Sequence, residues 1–447
     1  MKVQGHWLRS IAVFAASAML IAACGSDKKQ SAPTTPASST TPATSPADTT
    51  PAASSGVTTP AVATPETTPP TEAVVPPSGD PVKVMVMGAF TGPYDTSFSF
   101  DAAKAAAQAI NKAGGIQGHP YEILTCDDKF DPNATLDCAR QAKDQGAVAI
   151  ISGLMLAGDY LDYAKQQGIP VVAAVGFQSA EFQSDISFPL TSGGAGYGTA
   201  AIAEVIAQGV TKISLVYDDS SGVAKPAAKA AKAALEAKGI TVTNIIPMPI
   251  DIADASSILA AAEKDGAEGA GLLLQGAQAA KFIQARDQAG SKLLVGSYDL
   301  SLEPATIKTL GAAADGVLMA SPFKQLTTKG DKGVDEFLAE LKAFNPTETT
   351  DTWSIPGVGL GVYAGAHLVA QAAQKAATLD AAGVLAALPT ISDFDIGIMA
   401  PIDFSKPRAD AIPGFTRVFN TKFYFNKIKD TVLVPIGSDP IDVLAKG

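Results

Sequence analysis

The chain has 447 residues, with 33 Lys and Arg against 44 Asp and Glu, and a formal net charge of -11 at pH 7. Lys and Arg form no cluster of the kind that binds a phosphate backbone, which argues against nucleic acid as a partner. The length exceeds that of a usual single hydrophobic core and predicts two domains in the folded part.

The first residues have the layout of a secretion signal. Lys2 and Arg9 precede an apolar segment, 11–22, and Cys24 follows two small residues. The segment is shorter than the roughly 20 apolar residues that cross a bilayer. The ending resembles the lipobox of bacterial lipoproteins, so residues 1–23 are predicted to be cleaved and Cys24 to be lipidated. The alternative is an ordinary signal peptide followed by an incidental cysteine.

A low-complexity segment follows the signal. Residues 31–80 are almost entirely Pro, Thr, Ser and Ala and include no aromatic residue. Such a composition buries too little apolar surface to offset the entropy of ordering. We therefore predict a disordered, Pro/Thr/Ser-rich tether over 24–80 and a folded domain over 81–447.

Two cysteines remain in the folded part, Cys126 and Cys138. In an oxidising compartment they are expected to form a disulfide, whose loop-closure stabilisation is roughly 3 kcal/mol. Metal binding is the alternative, but His119 is the one further Cys or His near them in sequence. No metal site is expected.

Apolar strands alternate with helices from residue 82 onward. The predicted strands of two successive runs are 82–88, 121–126, 147–152 and 171–174, then 213–217, 242–246, 271–274, 293–295 and 317–320. This alternation predicts an α/β protein with two doubly wound, Rossmann-like lobes built on parallel sheets. A long apolar helix is predicted at 358–377, and terminal strands at 398–404 and 418–427.

Several motifs of the first run occur together in a set order. Phe90-Thr91-Gly92-Pro93 follows the first strand, Ile-Asn-x-x-Gly-Gly-Ile-x-Gly occupies 110–118, and Asp127-Asp128 precedes Asp131-Pro132. In this order they resemble the type I periplasmic-binding proteins, in particular the branched-chain amino-acid (Leu/Ile/Val)-binding family of ABC transporters. The resemblance in pattern extends from 82 to about 430.

The resemblance implies two lobes joined by a three-crossing hinge. The first lobe would comprise about 81–193 and 320–396, and the second about 194–319 and 397–447. A small-molecule ligand would bind between them, and an ABC permease would be the membrane partner. With its lipid anchor, the protein is expected to be a monomer on the outer face of the cytoplasmic membrane. A receptor that signals through a membrane partner without transport is the alternative.

Catalytic signatures are absent from the sequence. It contains no G-x-S-x-G, H-E-x-x-H or phosphate-loop motif, and His119 and His367 fit structural roles. The glycine-rich run 192–198 lacks the dinucleotide spacing and fits a hinge and helix start. We therefore expect no enzyme activity and no cofactor.

Ligand contacts are predicted in the loops that follow the strands. The candidates are Tyr94, Phe98, Ser152, Leu154, Met155, Gly176, Phe177, Gln178, Asp219, Gln275, Tyr298 and Asp299. Asp299 is the favoured acceptor for a ligand ammonium, although it also fits a turn-capping role, and Met155 and Phe177 also fit simple packing. Relatives that bind amino acids place hydroxyl residues where 154–156 and 176–177 are apolar here. A branched-chain amino acid therefore fits less well than an amide, an organic acid or a small peptide.

Overall fold

The computed structural model describes residues 75–91, 95–220, 222 and 224–445. All of them belong to the unit Thr71–Gly447. The predicted signal peptide, Cys24, nearly all of the predicted tether and Tyr94 lie outside the described residues. In the described part, no helix combines the length and apolar character needed to span a membrane.

The first lobe is built on a four-stranded parallel sheet. Its elements in chain order are β1 (Val82–Gly88), α1 (Phe98–Lys112), β2 (Tyr121–Asp127), α2 (Pro132–Asp144), β3 (Ala149–Ser152), α3 (Tyr160–Gln167) and β4 (Val171–Ala173). The strand order is β2-β1-β3-β4. Residues 84–87 of β1 are all fully buried, because helices cover both faces of the sheet. Asp131 caps α2 by accepting hydrogen bonds from the backbone N–H groups of Asn133 and Ala134.

The second lobe continues the alternation. Its elements are α4 (Gly193–Ala207), β5 (Lys212–Asp218), α5 (Ala224–Glu236), β6 (Thr241–Met248), α6 (Ser256–Glu263), β7 (Gly269–Leu273), α7 (Gly276–Gln288), β8 (Leu294–Tyr298), α8 (Pro304–Leu310) and β9 (Leu318–Ser321). Helix α4 lies directly on β8. A Cβ atom at Gly296 would come within 1.6 Å of the Ala201 carbonyl oxygen, so only glycine permits this approach.

The last part of the chain contributes to both lobes. It contains α9 (Lys332–Phe344), α10 (Pro356–Lys375), α11 (Ala381–Ala387), β10 (Lys422–Lys429), β11 (Val432–Pro435) and β12 (Ile441–Asp442). Helix α10 packs in the first lobe, where the Tyr121 hydroxyl donates to the Ala366 carbonyl. Strand β10 pairs antiparallel with β9, which gives the second sheet the order β11-β10-β9-β8-β7-β5-β6. β12 also pairs with β10.

Three connections carry the chain between the sheets. They lie between β4 and α4, between β9 and α9, and between α11 and β10. The structure therefore confirms the predicted α/β fold with two lobes. It also contains a disulfide between Cys126 and Cys138.

The predicted strand at 398–404 does not form. That segment makes only single-residue pairings, of Met399 with Phe323 and of Ile402 with Phe394. Its apolar side chains are buried instead in a hydrophobic core that also contains side chains of β1, β3, α10 and β10. The strand predicted at 418–427 begins later, at Lys422.

Candidate ligand-binding site

A cavity of about 430 Å³ lies between the two lobes. The first lobe contributes the loops after β2, β3 and β4 and the residue before α10. The second lobe contributes the loops after β5, β7 and β8 together with the start of α4. These loops follow the carboxyl ends of parallel strands, where open α/β sheets bind ligands.

The wall from the first lobe is mostly apolar. Leu154, Met155 and Leu156 line it from the loop after β3, and Phe177 and Gln178 from the loop after β4. The two loops are tied together, because the Gln178 side-chain amide donates to the Met155 carbonyl over 2.9 Å.

A buried carboxylate holds this wall from behind. Glu181 Oε2 accepts hydrogen bonds from the backbone N–H groups of Phe177 (2.7 Å) and Gln178 (2.8 Å). Its Oε1 accepts from the Tyr160 hydroxyl (2.8 Å) and the Ser152 hydroxyl (3.3 Å). Burial raises the pKa of Glu181, and the four hydrogen bonds oppose that rise. Glu181 thus sets the backbone position of two residues that line the cavity.

The wall from the second lobe is organised around Asp218, which is 2% exposed. Its Oδ1 accepts from the Ser220 backbone N–H (3.0 Å), the Ser220 hydroxyl (2.7 Å) and the Gln278 side-chain amide (3.1 Å). Its Oδ2 accepts from the Gln275 side-chain amide over 2.7 Å. Four hydrogen-bond donors thus fix the position of this carboxylate in the wall.

Aromatic rings line the cavity near the start of α4. The Tyr197 ring lies 5.3 Å from the Tyr298 ring and 6.3 Å from the Phe177 ring, measured between centroids. The Tyr197 hydroxyl is buried and has no hydrogen-bond partner among the described residues. Burial raises the pKa of Tyr197, and the neighbouring Asp299 raises it further, so the phenol stays neutral.

Asp299 faces a second, smaller cavity of about 220 Å³. Its Oδ2 accepts from the Ser321 hydroxyl over 2.7 Å, and its Oδ1 has no partner in the described part of the chain. Burial raises the pKa of Asp299 from 3.8 to about 7. The carboxylate lies against the first turn of α10 in the other lobe, where a Cβ atom at Gly357 would come within 2.8 Å of Oδ2.

The structure brings half of the sequence-predicted site residues together. Those that line the larger cavity are Leu154, Met155, Phe177, Gln178, Gln275 and Tyr298. The Ser152 hydroxyl lies behind the first-lobe wall, where it donates a hydrogen bond to Glu181. Gly176 packs against the Phe182 ring. Phe98 stacks on Trp353 at 4.8 Å, and Asp219 is exposed beside Asp218.

Sequence reasoning missed Tyr197, Asp218 and Glu181. Tyr197 lies in the glycine-rich run, whose only evident meaning was a hinge and helix start. Asp218 is adjacent to Asp219, which was predicted in its place, and nothing in the sequence marked Glu181. Among the described residues, no group of three or more His, Cys, Asp and Glu side chains is placed to hold a metal ion.

A two-lobed α/β protein with a lined cavity between its sheets has the architecture of a solute-binding protein. The profile of the family described as periplasmic binding protein matches residues 81–427. The chain belongs to the periplasmic binding protein family, which confirms the resemblance found in the sequence.

Solved structures that share this fold are described with different ligands. A branched-chain amino acid transporter substrate-binding protein from Streptococcus pneumoniae, in complex with isoleucine, is 17% identical (TM-score 0.63, 80% of this chain and 99% of that chain covered). A fatty acid ABC transporter substrate-binding protein from Thermomonospora curvata is also 17% identical (TM-score 0.63, 83% and 95%). An ABC transporter solute-binding protein from R. palustris, in complex with 4-hydroxybenzoate, is 19% identical (TM-score 0.63, 81% and 97%). No curated protein matches this chain.

Proposed function

We propose that this protein captures a small organic molecule between its lobes, outside the cytoplasm, and delivers it to an ABC permease for import. The observation that carries the proposal is the cavity of about 430 Å³, which residues of both lobes line at the carboxyl ends of their strands. The fold neighbours named above are transport-related binding proteins, which supports the same role.

The ligand would act as a bridge between the lobes. Leu154, Phe177 and Gln178 would contact it from the first lobe, and Asp218 and Tyr298 from the second. A ligand that touches both lobes binds the closed arrangement best and shifts the equilibrium towards closure. The permease would then distinguish the closed, loaded form from the open one.

A thermal-shift screen against amines, amides, amino acids and organic acids tests the capture role. We expect at least one solute to raise the melting temperature, since a ligand at 100 times its Kd stabilises the folded state by about 2.7 kcal/mol. Tyr298→Ala should abolish that rise. Tyr163→Ala, which removes a half-buried tyrosine from α3 away from the cavity, should retain it. A folded protein that no solute stabilises would contradict the proposal.

We propose that a lipid on Cys24 anchors the protein to the outer face of the membrane, with 24–80 as the tether. Cys24→Ala is expected to move the protein from the detergent phase to the aqueous phase in Triton X-114 partition and to prevent labelling by an alkyne fatty acid. Ser26→Ala is the matched control and should remain labelled. An unlabelled wild-type protein would show that the segment is an ordinary signal peptide.

A further inference from the structure

The charged side chains that line the larger cavity are acidic. Asp218 and Glu303 line it, and none of the described lining residues is Lys, Arg or His. Asp218 is almost fully buried, so solvent screens its charge only weakly. The cavity therefore presents a negative charge that no basic side chain of its described lining neutralises.

The hydrogen bonds of Asp218 leave one of its oxygens able to accept more. Oδ1 accepts three hydrogen bonds, whereas Oδ2 accepts one, from Gln275. A carboxylate oxygen has two lone pairs, so Oδ2 retains capacity for a donor that enters the cavity.

Three helix N-termini also reach the cavity, through Gly194 of α4, Ala224 of α5 and Gly276 of α7. Each carries about half a positive charge, which is the strongest argument for an anionic ligand here. The negative charges of Asp218 and Glu303, which both line the cavity, oppose these partial charges. A ligand carboxylate would therefore meet a buried anion without the basic side chain that usually compensates it.

The remaining lining suits a cation with an apolar body. Phe177, Tyr197 and Tyr298 supply aromatic rings, whose faces attract cations, and Phe130 lines the same cavity. Leu154 and Met155 supply an apolar surface for the rest of the molecule. An acidic group beside several rings is the arrangement that recognises ammonium groups.

We propose that the ligand class of this site is an apolar or aromatic amine, bound as its cation with the ammonium group towards Asp218 Oδ2. The inference rests on the proposed capture function. It excludes simple carboxylates as the preferred ligands of this cavity.

Three probes of similar size test the charge preference. Phenethylamine is cationic, phenylacetamide is neutral and phenylacetate is anionic at neutral pH. We expect the amine to bind at least ~10-fold more tightly than the acid by isothermal titration calorimetry, in line with an ion pair and cation–π contacts in a desolvated site. Tighter binding of phenylacetate, equal binding of the three, or binding of none of them would overturn the amine class.

Asp218→Asn assigns the preference to one residue. The variant should lose ~10-fold or more of its affinity for phenethylamine and change little towards phenylacetamide, because only the cation interacts with the lost charge. Circular dichroism melting without ligand checks that the variant is folded. Tyr298→Leu is the second variant, and it should weaken the amine through its lost ring without removing the charge. If both variants bind phenethylamine as tightly as the wild type, the amine does not bind in this cavity and the inference is wrong.

The failure of this inference is distinguishable from that of the capture function. If the broad solute screen finds a stabilising carboxylate whose effect Tyr298→Ala abolishes, capture stands and the amine class is wrong. If no solute stabilises the protein, capture and the amine class both fail.

Discussion

Glu181→Ala is expected to destabilise the protein by about 3–5 kcal/mol, because it leaves buried donors without an acceptor. The Glu181 carboxylate accepts four hydrogen bonds, two of them from the backbone N–H groups of Phe177 and Gln178. Glu181 is fully buried, so water cannot replace the lost acceptor without opening the wall. Urea unfolding monitored by circular dichroism measures the change.

Two controls separate this network from the loss of any carboxylate. Glu181→Gln keeps one acceptor oxygen and should cost about 1–3 kcal/mol, less than the alanine variant. Glu122→Ala removes an exposed glutamate of β2 and should change the free energy of unfolding by less than about 0.5 kcal/mol. If Glu181→Ala unfolds at the wild-type urea midpoint, the carboxylate does not hold the loop. Weaker binding in a folded Glu181→Gln protein would show that it positions the wall of the cavity.

Asp299→Asn is expected to gain stability relative to the wild type as the pH rises. Burial raises the pKa of Asp299 in the folded protein from 3.8 to about 7. The folded state therefore binds this proton more tightly than the unfolded state, and the stabilisation that is complete below about pH 4 is lost as the pH rises through 7. Between about pH 5 and pH 8 the wild type should lose about 2–3 kcal/mol relative to the asparagine variant.

The measurement is the free energy of unfolding of both proteins at the two pH values. Groups that titrate in both proteins cancel in the comparison, and asparagine can still accept the hydrogen bond from Ser321. Asp219→Asn, at an exposed position of the same lobe, is the matched control and should show no such divergence. Parallel pH profiles for the wild type and Asp299→Asn would mean that Asp299 titrates near its ordinary value.

The fold was largely predictable because its strands are short, apolar and separated by helices. The bounds predicted for β1, 82–88, match those in the structure, since six of its seven residues are buried and glycine and proline mark its end. Segment 398–404 shows the limit of the pattern. Its apolar residues signalled burial correctly, but whether they pair in a sheet or pack in a core depends on neighbours far away in sequence.

The candidate site was predictable as a set of loops and less so as individual side chains. Asp218 and Asp219 are adjacent at the end of β5, where successive side chains point to opposite sides, so composition does not say which one faces the cavity. Ser152 ends the predicted strand 147–152, yet its hydroxyl bonds with Tyr160 and Glu181 behind the wall. Such partners come from tertiary packing, and a single sequence contains no sign of them.

The turn that carries Glu181 is completed by residues that the ribosome synthesises much later. The Phe182 carbonyl accepts hydrogen bonds from the backbone N–H groups of Thr416 and Arg417, both at 3.0 Å, and the Phe182 ring stacks on Phe415 at 4.7 Å. A nascent chain that has not reached residue 417 lacks these partners, however long ago its first sheet was synthesised. We therefore expect the chain to remain incompletely folded until synthesis is nearly finished, a state that suits export through a narrow translocation channel before folding.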